Sequence, residues 1–198
     1  MISHNIIHKK PIFILIGPSA SGKTTLIKKS KDALNYGVII STTTRKPRTG
    51  EKDGIDYYFV TRDEFQKLNM IESDEFSGNL YGISLESILS ITDNKDGAMT
   101  AMTLEGAEII RNYIENSELP FVVKTIFVNT PIAVLKQRMT DRGDSSEEIA
   151  RRMKNIEDRR EYDNRYKTDF VYEPIITSSE DDVINFIKFI KNISEKIM

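Results

Sequence analysis

The sequence predicts an α/β fold in which a parallel sheet is wound with helices on both faces. Three observations carry that prediction. The run Ile12-Phe13-Ile14-Leu15-Ile16 is apolar without alternation, as befits a parallel strand covered on both faces. It leads directly into Gly17-Pro18-Ser19-Ala20-Ser21-Gly22-Lys23-Thr24, which has the spacing G-x-x-x-x-G-K-[ST]. Beyond it, short apolar strands alternate with helical stretches to the end of the chain.

Bulk properties narrow the chemistry. A chain of 198 residues suits one α/β domain with small insertions. The formal net charge of -2 offers no global basic field, so no nucleic-acid partner is expected. Cysteine is absent, which excludes disulfides, thiolate nucleophiles and cysteine-held zinc. His4 and His8 are the only histidines, and both sit in the N-terminal tail. A histidine base or histidine metal cluster is therefore not expected. No apolar run approaches the ~20 residues of a membrane span, and residues 1–10 lack the apolar core of a signal peptide. The expected compartment is the cytoplasm.

The loop Gly17–Thr24 is where phosphate chemistry is written most plainly. Glycines let the backbone curl until successive N–H groups face phosphate oxygens. The helix that follows, through Thr25-Leu26-Ile27, adds partial positive charge at its N-terminus. Lys23 is expected to reach the β- and γ-phosphates of ATP, and the Thr24 hydroxyl to ligate Mg2+.

The remaining elements follow in order. The first helix is expected to end near Leu34-Asn35-Tyr36-Gly37, where Gly37 offers a stop, with a strand over Val38–Ser41. Residues 42–56 are polar and rich in turn formers, and a loop of that length is usually functional. Tyr57–Val60 reads as a strand, and Thr61-Arg62-Asp63-Glu64 as a capping box. Residues 72–81 read as irregular, and Ser84 as the cap of a helix carrying Leu85, Ile88 and Leu89. A soft strand over Ala98–Thr103 precedes a helix from Gly106 to Tyr113. Phe121–Val128 is the clearest later strand, and Thr130-Pro131 is expected to cap and open the helix Ile132–Met139. Ser145-Ser146-Glu147-Glu148 should open a charged helix running toward Tyr162. Phe170–Tyr172 closes the sheet, and Asp181–Ile197 forms an amphipathic final helix.

Three further stretches carry a resemblance. The segment Ser41-Thr42-Thr43-Thr44-Arg45-Lys46-Pro47-Arg48-Thr49-Gly50-Glu51, continuing through Asp53-Gly54 and Asp56-Tyr57, resembles the monophosphate-binding segment of guanylate kinases. Phe76-Ser77-Gly78-Asn79-Leu80-Tyr81-Gly82 is similar to the next signature of that family, and 142–152 to its lid. With the phosphate loop, these run in family order from about Pro11 to about Tyr172. The resemblance implies a P-loop kinase core (10–40, 98–135 and 167–198), a small mixed-sheet subdomain for the acceptor nucleotide (41–97) and a helical lid (136–166). It implies transfer from ATP to GMP or dGMP by a monomer or homodimer.

It also implies site residues. Arg45, Arg48, Tyr57 and Tyr81 match the acceptor-phosphate positions, and Ser41 is expected among the acceptor-binding residues. Arginine forks suit phosphate oxygens, and tyrosine hydroxyls donate without adding charge. Glu72 matches the carboxylate that accepts from guanine N1–H and the 2-amino group, which adenine lacks. Arg138, Arg142 and Arg152 match the arginines that neutralise the moving phosphoryl group, with Lys23 and Arg45 completing the catalytic set.

The chain departs from the family where acids usually stand. Ala101 and Thr103 occupy the two aspartate positions before Glu105-Gly106-Ala107, leaving Thr103 a hydrogen-bonding acceptor-site group without charge. Ile83 replaces a hydroxyl residue in guanine recognition, with Ser84 next to it. Three readings stand on the sequence: a guanylate kinase with a variant site, a P-loop kinase for another small phosphate, and a guanylate-kinase-like module that binds a protein. Intact Gly17, Gly22, Lys23 and Thr24 argue against the last.

Overall fold

Strand β1 (Lys10–Ile16) lies at the centre of a computed structural model that describes residues 9–47, 50–76, 78–92, 94–176 and 178–197. Around it stand β2 (Tyr36–Val38), β7 (Gly97–Ala101), β8 (Phe121–Val128) and β9 (Phe170–Tyr172). The spatial order is β2-β7-β1-β8-β9 and every pairing is parallel. The side chains of β1 divide by parity, as the period of two requires. Ile12, Ile14 and Ile16 enter one half of the core, beneath helix α4 (Leu104–Asn116) through Ala107, Ile110 and Ile114. Phe13 and Leu15 enter the other half, against α1 (Lys23–Leu34) and α7 (Ser179–Glu195) through Leu26, Ile27, Phe186 and Ile190. The unbroken apolar run thus serves two faces.

A second sheet holds β3 (Thr42–Thr43), β4 (Tyr58–Phe59), β5 (Met70–Phe76) and β6 (Asn79–Ser84) in the order β4-β3-β6-β5. It is mixed: β3 runs parallel to β4 and antiparallel to β6, and β5 and β6 form a hairpin. Between these strands lies the short helix α2 (Arg62–Phe65), opened by the expected capping box of Thr61 and Glu64. Helix α3 (Leu85–Thr92) follows, and the Ser87 N–H donates to the Ser84 hydroxyl at 3.2 Å. A third, smaller cluster of Leu135, Met139 and Ile156 holds α5 (Ile132–Asp141) to α6 (Ser146–Asp158).

Several sequence expectations are corrected. Helix α1 ends within the expected stretch Leu34–Gly37, but the stop is Asn35, in the left-handed conformation at φ 53°, and not Gly37, which lies inside β2. The stretch 72–81 is a hairpin rather than irregular chain; its acidic residues have poor strand propensity, and cross-strand pairing overrides it. Helix α6 stops at Asp158, and a 3₁₀ turn over Glu161–Tyr166 follows. Thr130 does not cap α5, whose N-cap position is Pro131 without a side-chain bond.

Candidate active site

The loop between β1 and α1 is shaped by three residues at positive φ: Gly17 at 147°, Ala20 at 66° and Gly22 at 101°. A Cβ on Gly17 would stand 3.0 Å from the Val128 carbonyl oxygen, so the close approach to β8 requires glycine. Thr130 holds the loop from outside, its buried hydroxyl donating to the Ser21 carbonyl at 2.8 Å. Lys23 folds back along the loop. Its ammonium donates to the Gly17 carbonyl at 2.6 Å, the Pro18 carbonyl at 2.9 Å and Ser21 Oγ at 3.2 Å. Burial pulls its pKa down to about 8, against the field of Glu161, which supports the charge. Glu161 itself is pushed up by burial, opposed by Lys23. The ammonium is thereby held in the loop's concavity, on carbonyls that a phosphate can replace.

Two arginines, one from α5 and one from α6, touch the same loop. Arg138 Nη1 donates to the carbonyls of Ala20 at 3.2 Å and Ser21 at 2.9 Å. Arg152 Nη1 donates to Ser19 Oγ at 2.8 Å, while its Nε donates to Glu148 at 2.9 Å. Arg142 faces Asp144 through both Nε and Nη2. That carboxylate's hydrogen bonds raise the pKa of Arg142 further. A cavity of about 400 Å³ opens beside the loop, lined by Ala20 to Leu26, Arg138, Arg142 and the start of α7.

A second cavity of about 230 Å³ lies across Thr24, walled by Ser41, Glu51, Tyr57, Thr100 and Ala101 among others. Arg45 stands beside it in the mixed-sheet region. Its guanidinium lies over the Tyr57 ring at 5.3 Å and donates to both carboxylate oxygens of Glu51 at 3.0 Å. Glu51 raises the Arg45 pKa, with a smaller contribution from Tyr81. The rings of Tyr57 and Tyr81 meet edge to face, 6.1 Å between centroids. Arg48 lies outside the described residues.

The base-recognition candidates separate. Glu72 on β5 is half-buried, and burial, then Asp74, pushes its pKa upward. A Cβ on Gly106 would stand 3.2 Å from the Glu72 carboxyl carbon and Oε1, so the first turn of α4 comes up against this carboxylate. Ile83, opposite Glu72 across the hairpin, is fully buried in the core. Ser84 is also buried and spends its hydroxyl at the start of α3, 3.1 Å from Ser87 Oγ. It is not placed to substitute for Ile83. Thr103 is the N-cap of α4, accepting from the Gly106 N–H at 3.2 Å.

The structure therefore brings together Gly17, Ser19, Ala20, Ser21, Gly22, Lys23, Thr24, Thr25, Arg138 and Arg142 around one cavity or its loop, with Arg152 touching Ser19. It places Ser41 and Tyr57 around the other, with Arg45 stacked on Tyr57. Glu72 lies against α4, apart from the residues that line this second cavity. Sequence reasoning missed Glu51, Glu161 and the true role of Thr130. Glu51 stood within the quoted segment, six residues after Arg45, but nothing in its spacing marks a partner. Glu161 carries no sequence signal, because its proximity to Lys23 depends on the turn after α6.

Comparison with known proteins agrees with this geometry. The sequence pattern of the family described as guanylate kinase matches residues 8–194. The guanylate kinase of Schizosaccharomyces pombe is 39% identical over 145 residues, covering 70% of this chain and 68% of that protein. That of Sus scrofa is 39% identical over 148 residues, covering 71% and 72%. Among solved structures, the guanylate kinase of Anaplasma phagocytophilum superposes with a TM-score of 0.62 at 26% identity, covering 96% of this chain and 86% of that one.

Proposed function

The chain belongs to the guanylate kinase family, and we propose that it transfers the γ-phosphoryl group of ATP to GMP, giving ADP and GDP. One observation carries the reading at the level of the site: Thr24 lines both the loop cavity and the cavity walled by Ser41 and Tyr57. A donor in the first and an acceptor in the second would meet there. The acceptor phosphate is already anionic and nucleophilic, so in-line transfer needs alignment and charge neutralisation rather than a general base. Lys23 would exchange its loop carbonyls for the β- and γ-phosphates. Arg138, Arg142 and Arg152 would neutralise the moving group from the lid side, and Arg45, Arg48, Tyr57 and Tyr81 would hold the acceptor phosphate. Glu72 would accept from the guanine edge.

The donor set suits Mg2+ held chiefly by the triphosphate. Thr24 presents an exposed hydroxyl oxygen at the cavity, and the described residues contain no group of three acidic or imidazole ligands. Thr24 would hold the ion together with the triphosphate, and the chemistry the ion would supply there is an offset of the phosphate charge. With Ala101 and Thr103 supplying no carboxylate, Thr24 is the one direct protein ligand we assign.

In this reading residues 41–97 form the acceptor-binding part, 136–166 the lid, and 10–40, 98–135 and 167–198 the core. No described helix is long and apolar enough to cross a membrane. The deciding experiment is a coupled ADP-release assay over a panel of nucleoside monophosphates. GMP should be the preferred acceptor. ATP binding without ADP release for every acceptor would overturn the enzyme reading, and a different preferred acceptor would overturn the guanine assignment.

A further inference from the structure

Arg45 has five N–H donors arranged as two forks: an end-on fork from Nη1 and Nη2, and a side-on fork from Nε and Nη2. Glu51 takes the end-on fork with both oxygens, Nη1 to Oε2 and Nη2 to Oε1, each at 3.0 Å. The second Nη1 proton goes to the Lys46 carbonyl at 2.8 Å. Three donors are thereby used by acceptors within the same loop; the Nε–H and one Nη2–H make up the other fork, and the guanidinium also donates to the hydroxyl of Tyr81, itself an acceptor-site candidate. The pair is well shielded, with side chains 13% and 19% exposed. The guanidinium plane is further fixed by the rings of Tyr57 at 5.3 Å and Phe59 at 5.8 Å. An ion pair this sheltered and bidentate holds one orientation far better than a surface pair does.

We propose that Glu51 is a positioning residue for GMP: it occupies the end-on fork of Arg45 so that the side-on fork is presented to the acceptor phosphate. The inference rests on the acceptor-site reading above. It assigns Glu51 no contact with the nucleotide. Because the effect runs through a phosphate-binding fork, it should be felt by GMP and not by guanosine, which carries the same base and sugar.

The test compares the wild-type chain with Glu51→Gln and Glu51→Asp. Glutamine keeps the size but offers one acceptor and turns an N–H toward the guanidinium. The KM for GMP should rise about tenfold in Glu51→Gln, the loss of roughly one charge-assisted hydrogen bond. The KM for ATP should stay within twofold. Calorimetric titration should show weakened GMP binding and unchanged guanosine binding. Glu51→Asp, which restores the charge, should recover part of the loss. An unchanged or lowered KM for GMP in Glu51→Gln would overturn the proposal, the lowered value showing a competitor rather than a guide. Equal weakening of GMP and guanosine, or a parallel rise in the KM for ATP, would also overturn it, by showing a general structural role. A wild-type chain that turns over no GMP would remove the function reading and this inference together. An active wild type with an indifferent Glu51→Gln removes the inference alone.

Discussion

Single residues set the electrostatics of the site, and two of them make pH-dependent predictions. Lys23 is a base whose pKa is lowered to about 8 by burial, so the ammonium is present below that value and lost above it. The kcat/KM for ATP, which reports on the free enzyme, should fall as pH rises through about 8. Lys23→Ala should lower kcat by about 100-fold or more, and a steady-state assay of ADP release checks both. Glu72 is an acid whose pKa is raised by burial and by Asp74. The folded chain therefore holds a proton there at pH values where the unfolded chain has lost it. Stability falls as pH climbs through that window, and below it both states are protonated and the penalty vanishes. Glu72→Gln should accordingly melt higher than the wild type at pH 7, lose that advantage at acid pH, and raise the KM for GMP. Thermal melts at several pH values, with one kinetic measurement, decide it. Lys23 and Glu72 were legible as sequence positions because each stands at a fixed offset from a motif. Their pKa shifts were not, since they depend on burial in the fold, on the charge of Glu161 near Lys23 and on the approach of α4 to Glu72, all set by segments far away in the chain.

Elements explain why some polar residues near the site are structural. Thr103 stands where a carboxylate was expected, yet its hydroxyl closes the first turn of α4. Thr103→Val should cost about 1 kcal/mol in a urea denaturation, the usual worth of an N-cap. Thr103→Asp should hold its stability, because aspartate caps as well as threonine does. Thr130 shows the opposite displacement: a residue that reads as a cap instead ties the phosphate loop to β8. β1 and β8 were legible because long apolar runs suit a sheet buried on both faces, whereas β2 lies over Tyr36–Val38 and shares only Val38 with the expected Val38–Ser41. The β5–β6 hairpin was not, because Met70–Phe76 carries three acids and pairs only through its partner strand. Cap residues were readable at Thr61, Ser84 and Ser145, where the side chain bonds to a nearby N–H.

At the scale of the molecule, the two sheets are tied across the cleft. Lys28 on α1 bonds to Asp56 at 2.5 Å, and Asp56 also accepts the Lys52 N–H. The pair is solvent-accessible, so salt should loosen it. Lys28→Met should widen the cleft, visible as a larger radius of gyration by small-angle scattering, and raise the KM for GMP a few-fold. An unchanged radius would show that the pair does not govern closure. The parallel core could be read from residue order alone, since each strand–helix unit is local. The placement of the loop carrying Asp56 against α1 could not, because the Lys28–Asp56 contact joins residues 28 apart through a polar loop. The burial of Ile83 has a consequence for redesign. Its side chain belongs to the same core as Ile12, Ile14 and Ile88. Replacing it with serine would open a cavity and seal a hydroxyl inside, at roughly 3 kcal/mol or more. A hydroxyl at this position is thus a stability problem before it is a recognition problem. It would be tolerated only beside neighbours enlarged to fill the space and placed to offer the hydroxyl a partner.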